Sequence, residues 1–289
     1  MPFNLSSRHI DILMITQKRP QYTQMALSRL LETCDENMRV WIWHNGGHEP
    51  TLEVVKILAQ HPCVHEFYHS TSNQRLNKPT NWLMQNSRAD YVSKVDDDCL
   101  MPQGWGRILQ KAHEDVPEFG VIGCWRFTES DFYPELARCK IKTFSGRHQL
   151  MVNCWIEGSG YLMKKECVDQ FGIVKPGQSF PQYCIRLAAK GFVNGWYYPF
   201  LYQEHFDHPW SKHSRFQTDA DFMRDRPLMA QRRGIKSLEE YAQHFRDEAR
   251  RLQTASPDPR HYVGWRSVPS RLRRRFRRIF GGATHQSRQ

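Results

Sequence analysis

Three consecutive carboxylates, Asp96, Asp97 and Asp98, follow the largely apolar stretch 91–95. Adjacent carboxylates repel one another, so such a cluster belongs either in a solvated acidic turn or around a divalent cation. Oxygen ligands with part of the coordination sphere left open suit Mg²⁺ or Mn²⁺ carrying a phosphate. Where a strand gives way to a turn, the first and third carboxylates, Asp96 and Asp98, can face one site. A second cluster, Glu204-His205-Phe206-Asp207-His208, lies far downstream. Neutral imidazole is a competent Mn²⁺ ligand, which makes His205 and His208 candidates. Glu157 sits in a glycine-rich turn, Trp155-Ile156-Glu157-Gly158-Ser159-Gly160. Turns of this kind carry functional side chains as readily as idle ones.

The elements that must hold these residues read as alternating strands and helices. Residues 10–16 are a continuous apolar run, as in a strand buried on both faces. Pro20 opens a helix with Met25, Ala26, Leu30 and Leu31 on one side. Residues 40–43 form a second strand that ends in the turn signal His44-Asn45-Gly46-Gly47. A helix over 51–59, a weaker strand over 64–69, a helix over 78–87 and a strand over 91–95 follow. Further on come a helix to about 113, a strand over 120–125, a hairpin around Ser145-Gly146 and a strand over 161–163. A Gly/Pro loop over 173–180, a helix over 182–190 and an aromatic strand over 193–202 complete this part. The alternation predicts an α/β fold with a parallel, doubly wound sheet. Such sheets bind ligands at the carboxyl ends of their strands, where both Asn45 and the triple Asp fall. Ser237-Leu238-Glu239-Glu240 is a capping box opening a last helix, with Leu238, Tyr241, Ala242, Phe245 and Leu252 on one face.

With these residues in place, the sequence resembles the family 2 glycosyltransferases of the GT-A fold over roughly residues 10–210. Thr16-Gln17-Lys18-Arg19-Pro20 is similar to the family's T-x-x-R-P, and His44-Asn45-Gly46-Gly47 to its D-N-G-S turn. Asn73 and Asn81 keep the spacing of its N-x-G-x-x-x-A-x-N segment. Tyr91 to Asp98 looks like its strand and metal motif. The resemblance implies a mainly parallel, mixed sheet flanked by helices, with a nucleotide-sugar half at about 1–100 and an acceptor half at about 101–210. It implies a metal, Mn²⁺ or Mg²⁺, held through Asp98 with Asp96, and with His205 or His208 returning to it. It also implies donor contacts from Thr16, Arg19, His44, Asn45, Asn73, Asn81, Asp96 and Asp97, and inversion at the anomeric carbon. The sequence departs from the family at His44, which replaces an Asp, and at Arg75 and Pro79, which replace small residues. Aligning on Cys184-Ile185-Arg186 puts Ser179-Phe180-Pro181-Gln182 where the family has E-D-x-D, so its usual base is missing. Glu157 is the first substitute, followed by Asp207 and Glu204, whereas Asp169 reads as a surface helix residue. Trp155, Trp196, Tyr197 and Tyr198 are candidates for stacking on a sugar, with core packing as the competing role.

Charge locates the rest. Lys and Arg total 41 against 30 Asp and Glu, so 41 − 30 gives +11. Nine of the arginines and no acid lie in 259–289, so the remainder carries 11 − 9 = +2. A near-neutral body argues against a nucleic-acid binder. In the tail, Leu272, Phe276, Ile279 and Phe280 form an apolar stripe among arginines, the pattern of a helix lying on an anionic membrane surface through 270–280. No stretch reaches the roughly 18–20 apolar residues of a spanning helix, and the N-terminus lacks the basic and apolar regions of a secretion signal. The eight scattered cysteines then read as reduced core thiols. The expected organisation is a catalytic domain over 1–210, a helical extension over 211–256, and a linker and basic tail over 257–289. The expected protein is a glycosyltransferase on the cytoplasmic, inner face of the cell membrane, acting on a nucleotide-sugar and a glycan or lipid-linked acceptor. The competing expectation is a degenerate domain that binds a glycan or partner without turnover.

Overall fold

The computed structural model describes residues 9–263, so the tail expected at 270–280 lies outside the described residues. The strands are β1 (Ile10–Thr16), β2 (Met38–Asn45), β3 (Val64–Ser70), β4 (Tyr91–Asp96), β5 (Cys99–Leu100), β6 (Phe119–Gly123), β7 (Ile141–Thr143), β8 (Gln149–Val152), β9 (Tyr161–Lys164), β10 (Val193–Tyr198) and β11 (Glu204–His205). The helices are α1 (Pro20–Thr33), α2 (Glu49–Leu58), α3 (Asn77–Asn86), α4 (Trp105–Asp115), α5 (Pro134–Ala137), α6 (Lys165–Phe171), α7 (Phe180–Ala188), α8 (Asp219–Arg224), α9 (Leu228–Arg233) and α10 (Leu238–Thr254). Nine strands form one sheet in the order β3-β2-β1-β4-β9-β6-β10-β8-β7, and β5 pairs with β11 in a separate ladder. Seven of the nine run one way, with β8 and β9 opposed. The sheet is thus mixed and mainly parallel, as expected.

Both faces of the sheet are covered, which is why β1 reads as unbroken apolar sequence. Side chains alternate between faces. Ile10, Ile12 and Met14 pack with Leu27 and Leu30 of α1 and with Trp105 and Leu109 of α4. Leu13 and Ile15 join Leu83 of α3, Leu187 of α7 and the apolar face of α10 on the other side. Burying Tyr241, Phe245 and Leu252 ties α10 into that second core. Polar bonds reinforce the join, from Gln253 Nε2 to the Asp131 carbonyl at 2.8 Å and from the Tyr133 N–H to Gln253 Oε1 at 2.7 Å.

Several boundaries differ from the expectation for local reasons. β2 continues through His44 and Asn45, because β1 and β3 both pair with His44 and β3 carries Asn45 as well. α7 begins at Phe180, two residues early, since Ser179 and Gln182 form a reciprocal capping box. β10 stops at Tyr198, before the cis Tyr198–Pro199 peptide. Ser237 caps α10, but the Glu240 carboxylate accepts from the Lys236 N–H at 2.7 Å, so the expected box is only half formed. No cysteine is in a disulfide, and five are buried, yet Cys139 is exposed, contrary to its reading as a core thiol.

His113 on α4 is fully enclosed and donates from Nε2 to the Leu162 carbonyl at 3.0 Å. Burial pushes its pKa down to about 3 from 6.5. Between those values the unfolded chain takes up a proton that the folded chain refuses, so stability falls as pH drops from 6.5. At pH 5 the loss from this residue amounts to about 2 kcal/mol. Urea unfolding at pH 7 and pH 5 is expected to show it, and His113→Gln, which keeps a donor but does not titrate, is expected to flatten the difference.

Candidate active site

Parallel register brings the sequence motifs to one edge. Thr16 lies opposite His44, and Ile15 opposite Asp96, at the carboxyl ends of β1, β2 and β4. Antiparallel β9 begins at that edge, so the turn 155–160 arrives there too. Thr16 Oγ1 and His44 Nδ1 are 2.9 Å apart and buried. Burial, with His69 nearby, lowers the His44 pKa to about 4, so its ring is neutral near pH 7. Its Nε2 has no partner among the described residues. Asn45 donates to Asn73 Oδ1 and to the Arg75 carbonyl, both at 3.0 Å, and accepts from the Gln74 N–H at 2.6 Å. The pair Asn45 and Asn73 therefore shapes the loop after β3.

Arg19 is the hub of the acidic cluster. It caps α1 with φ 67°, a left-handed backbone that L-residues rarely adopt. Pro20 locks the next residue into the helix, so Arg19 makes the turn. Its Nη2 donates to Asp98 Oδ2 at 2.7 Å, and its Nη1 lies 2.8 and 2.9 Å from the two oxygens of Asp207. Asp97 is 3.8 Å away and accepts from Thr23 Oγ1 at 3.1 Å. These carboxylates outweigh burial and raise the Arg19 pKa far above its ordinary value. On Asp98, burial favours the neutral acid, but His205 and Arg19 overcome it and hold the group well below the usual carboxylate range. Asp97 goes the other way, pushed up to about 7 by burial against the pull of Arg19, with Asp98 adding repulsion.

The β5–β11 ladder sets His205 beside the cluster. His205 pairs with Cys99, and its Nε2 lies 3.8 Å from Asp98 Oδ1. Asp98, Cys99 and His205 present ligand atoms within 4.8 Å of one another. Burial and the neighbouring carboxylates keep Cys99 a thiol, so the usable donors are carboxylate oxygen and imidazole nitrogen. Asp96 is partly exposed at the rim, ion-paired with Lys94. Donors of this kind fit Mn²⁺ or Mg²⁺ better than a soft, thiolate-seeking metal. His208 is not brought to this group. It turns to Asp131 at 3.6 Å, accepts from the Trp210 N–H and packs on Phe245.

The glycine-rich turn passes close to the same place. Ser159 Oγ accepts from the Asp96 N–H at 2.9 Å, and the Gly160 N–H donates to the Lys94 carbonyl at 2.8 Å. Gly160 has φ +64°, a conformation that L side chains rarely adopt, and a Cβ there would also meet the buried Gln203 amide, so the position favours glycine. Glu157 is ion-paired with Arg126, whose Nη2 also reaches Glu248 Oε2 of α10 at 3.0 Å. Burial raises the Glu157 pKa, and Arg126 opposes the rise. Glu157 faces a cleft of about 800 Å³ that also includes Trp155 and Ser179.

Thr16, His44, Asn45, Asn73, Arg19, the three aspartates, Asp207 and His205 thus gather at one edge. Asn81 does not join them. Its amide clasps Val174, donating to the carbonyl at 2.8 Å and accepting from the N–H at 3.0 Å, which pins the 173–178 loop to α3. Glu204 is taken up by Ser211 and His213. Asp169 is exposed and paired with Lys165. Of the aromatic candidates, Trp196 is core, Tyr197 and Tyr198 pack on neighbours, and Trp155 faces the cleft. Sequence reasoning passed over Thr23, Cys99, Arg126, Ser159 and Glu248. Ser159 was legible in the Gly-Ser-Gly turn, but Arg126 and Glu248 are 122 residues apart and carry no local signal.

Known proteins place this geometry. No curated protein matches the sequence. Among solved structures, the mannosyltransferase PcManGT from Pyrobaculum calidifontis, in complex with GDP-Man and Mn²⁺, superposes with a TM-score of 0.59 at 14% identity, over 92% of this chain and 79% of that one. GalNAc-T7 with UDP, GalNAc and Mn²⁺ superposes with a TM-score of 0.56 at 7% identity, over 70% of this chain and 44% of that one. At such identities the likeness shows the fold, which is that of GT-A glycosyltransferases. The family model "Glycosyl transferase family 2" matches residues 11–169, more than half of the sequence, and the chain therefore belongs to glycosyl transferase family 2 and is a glycosyltransferase.

Proposed function

We propose that the protein moves a sugar from a nucleotide-sugar, a UDP-sugar in this reading, to a hydroxyl of a glycan or lipid-linked acceptor, with inversion. The observation that carries the reading is Asp98, held between Arg19 and His205 at the carboxyl edge of the sheet. The complexes of the two similar structures with Mn²⁺, one with GDP-Man and one with UDP and GalNAc, support a nucleotide-sugar and a divalent metal here. Asp98 and His205, with Asp96 at the rim, would hold Mn²⁺ or Mg²⁺. When bound, the ion neutralises charge on the departing nucleoside diphosphate.

The residues of the chain supply the rest. Neutral His44 with Thr16, and the Asn45–Asn73 pair, form the nucleotide side of the pocket. Arg19 orients Asp98 and stands beside the diphosphate. Glu157 receives the acceptor proton. Its burial raises its proton affinity toward what a general base needs, and Arg126 keeps it ionised and aimed. Asp207, with both oxygens on Arg19, acts as a positioning residue. A second reading, binding without turnover, is favoured by one fact: Ser179 to Gln182, where the family has acids, is a helix cap.

Asp98→Asn is expected to abolish Mn²⁺-dependent donor binding, measured by calorimetry with UDP-sugars. Glu157→Gln is expected to keep donor binding and lower kcat by about 10²–10⁴. Donor binding by the wild type without turnover across an acceptor panel would establish the second reading. Arg19→Met leaves Asp97, Asp98 and Asp207 without their cation, so the increase of Tm on adding Mn²⁺ should be larger than in the wild type. An equal increase would show that Arg19 and the metal do not share these carboxylates. The membrane location rests on the arginine-rich apolar stripe at 270–280. Flotation with anionic vesicles should be lost on removing 264–289, and should weaken with salt.

A further inference from the structure

The cleft that Glu157 faces has a one-sided charge. Lys175, Arg186, Lys190 and Arg251 line it, and Glu157 is the sole carboxylate among the lining residues. Glu157 is already met by Arg126, and Arg251 lies 3.5 Å from Glu248. Lys175, Arg186 and Lys190 have no carboxylate within ion-pair distance among the described residues. Residues 1–8 and 264–289 contain no Asp or Glu, so no side-chain carboxylate there can neutralise them. Outside 259–289 the chain is nearly neutral, and mixed signs are the norm on such a surface. The cluster is therefore a local excess. The first turn of α7 borders the same space through Ser179 and Gln182; Ser179 Oγ already accepts from the Gln182 N–H, so the helix contributes only the partial positive charge of its dipole. Arg186 stacks over Tyr183 at 4.8 Å and donates from Nη2 to the Ile173 carbonyl at 3.3 Å, which fixes its charge at the cleft wall.

The two ends of the cleft say what kind of anion this is. Its inner end is Glu157, two residues before Ser159, which is bonded to the Asp96 N–H. Its outer wall includes Tyr262, edge-on to Trp155 at 5.1 Å, and Val263. From Val263 the sequence runs directly into 264–289, where eight arginines surround Leu272, Phe276, Ile279 and Phe280. That composition suits a lipid surface, and Val263 of the cleft lining immediately precedes it in the sequence.

We propose that this cleft holds the phosphate group of a lipid-linked acceptor, with the acceptor hydroxyl at Glu157. The inference rests on the transfer reading of the Asp98 site.

Farnesyl diphosphate is the probe, titrated calorimetrically into the full chain in EDTA, so that no cation at the acidic cluster draws the diphosphate there. Binding is expected to weaken with salt, and to fall about tenfold in Lys175→Glu/Lys190→Glu. Both lysines are exposed, so the fold should tolerate the change. Lys142→Glu, an equally exposed lysine on β7 outside the cleft, should leave it unchanged. Binding of farnesol as tight as that of its diphosphate would overturn the proposal, as would an unaltered double variant. Inorganic diphosphate equalling the farnesyl ester would overturn the lipid assignment, and tighter binding of a glucuronate-ended oligosaccharide would replace it with an acidic glycan. UDP-sugar binding with Mn²⁺, measured on the same preparation after EDTA is removed, separates the two claims. If the wild type lacks it, the transfer reading fails and this proposal with it. If it persists without diphosphate binding, only the cleft assignment fails.

Discussion

Like charges brought together inside a protein must be compensated, and here one guanidinium does it. Arg19 faces Asp98, Asp207 and Asp97 from a backbone conformation that few L-residues accept. Without that cation Asp97 and Asp98, both largely buried, would lack the positive charge that compensates their repulsion. The strain at Arg19 and the repulsion among the aspartates are offset in a single arrangement. The consequence reaches Asp207, which arrives from the far side of the sequence and is fixed by the same group.

The compensation is uneven by design of the surroundings. Asp98 is ionised between Arg19 and His205, while Asp97, a residue away, is pushed toward neutrality by burial. Two neighbouring carboxylates with opposed proton affinities give a site that presents one firm anion and one adjustable one. Environment, not residue type, makes the difference.

How much of this was legible depended on distance along the chain. The β1 run, the Pro20 helix start and the triple Asp are local patterns with local causes, and the structure has each within a residue or two. Parallel topology then followed from alternation, and the shared edge from topology. His205 was reached through the family resemblance, in which a late histidine returns to the metal, and that resemblance pointed equally to His208. Cys99, the partner of His205, was not reached, because the β5–β11 ladder has two residues per strand and no periodicity to read. Asn81 kept its family spacing yet acts on the 173–178 loop, so spacing conveyed position and not role. The Arg126 network was invisible because a buried ion pair between distant segments leaves no trace in either one.

That network also sets a limit on modularity. Glu248 lies on α10, well beyond residue 169 where the family match ends, yet it shares Arg126 with Glu157. A segment that looks like an appendage in sequence therefore contributes to the electrostatics of a residue at the heart of the fold. Replacing the region after β11 would remove Glu248 and so alter the basicity of Glu157 without touching a single motif residue, so the motif-bearing half of the chain is not an interchangeable cartridge.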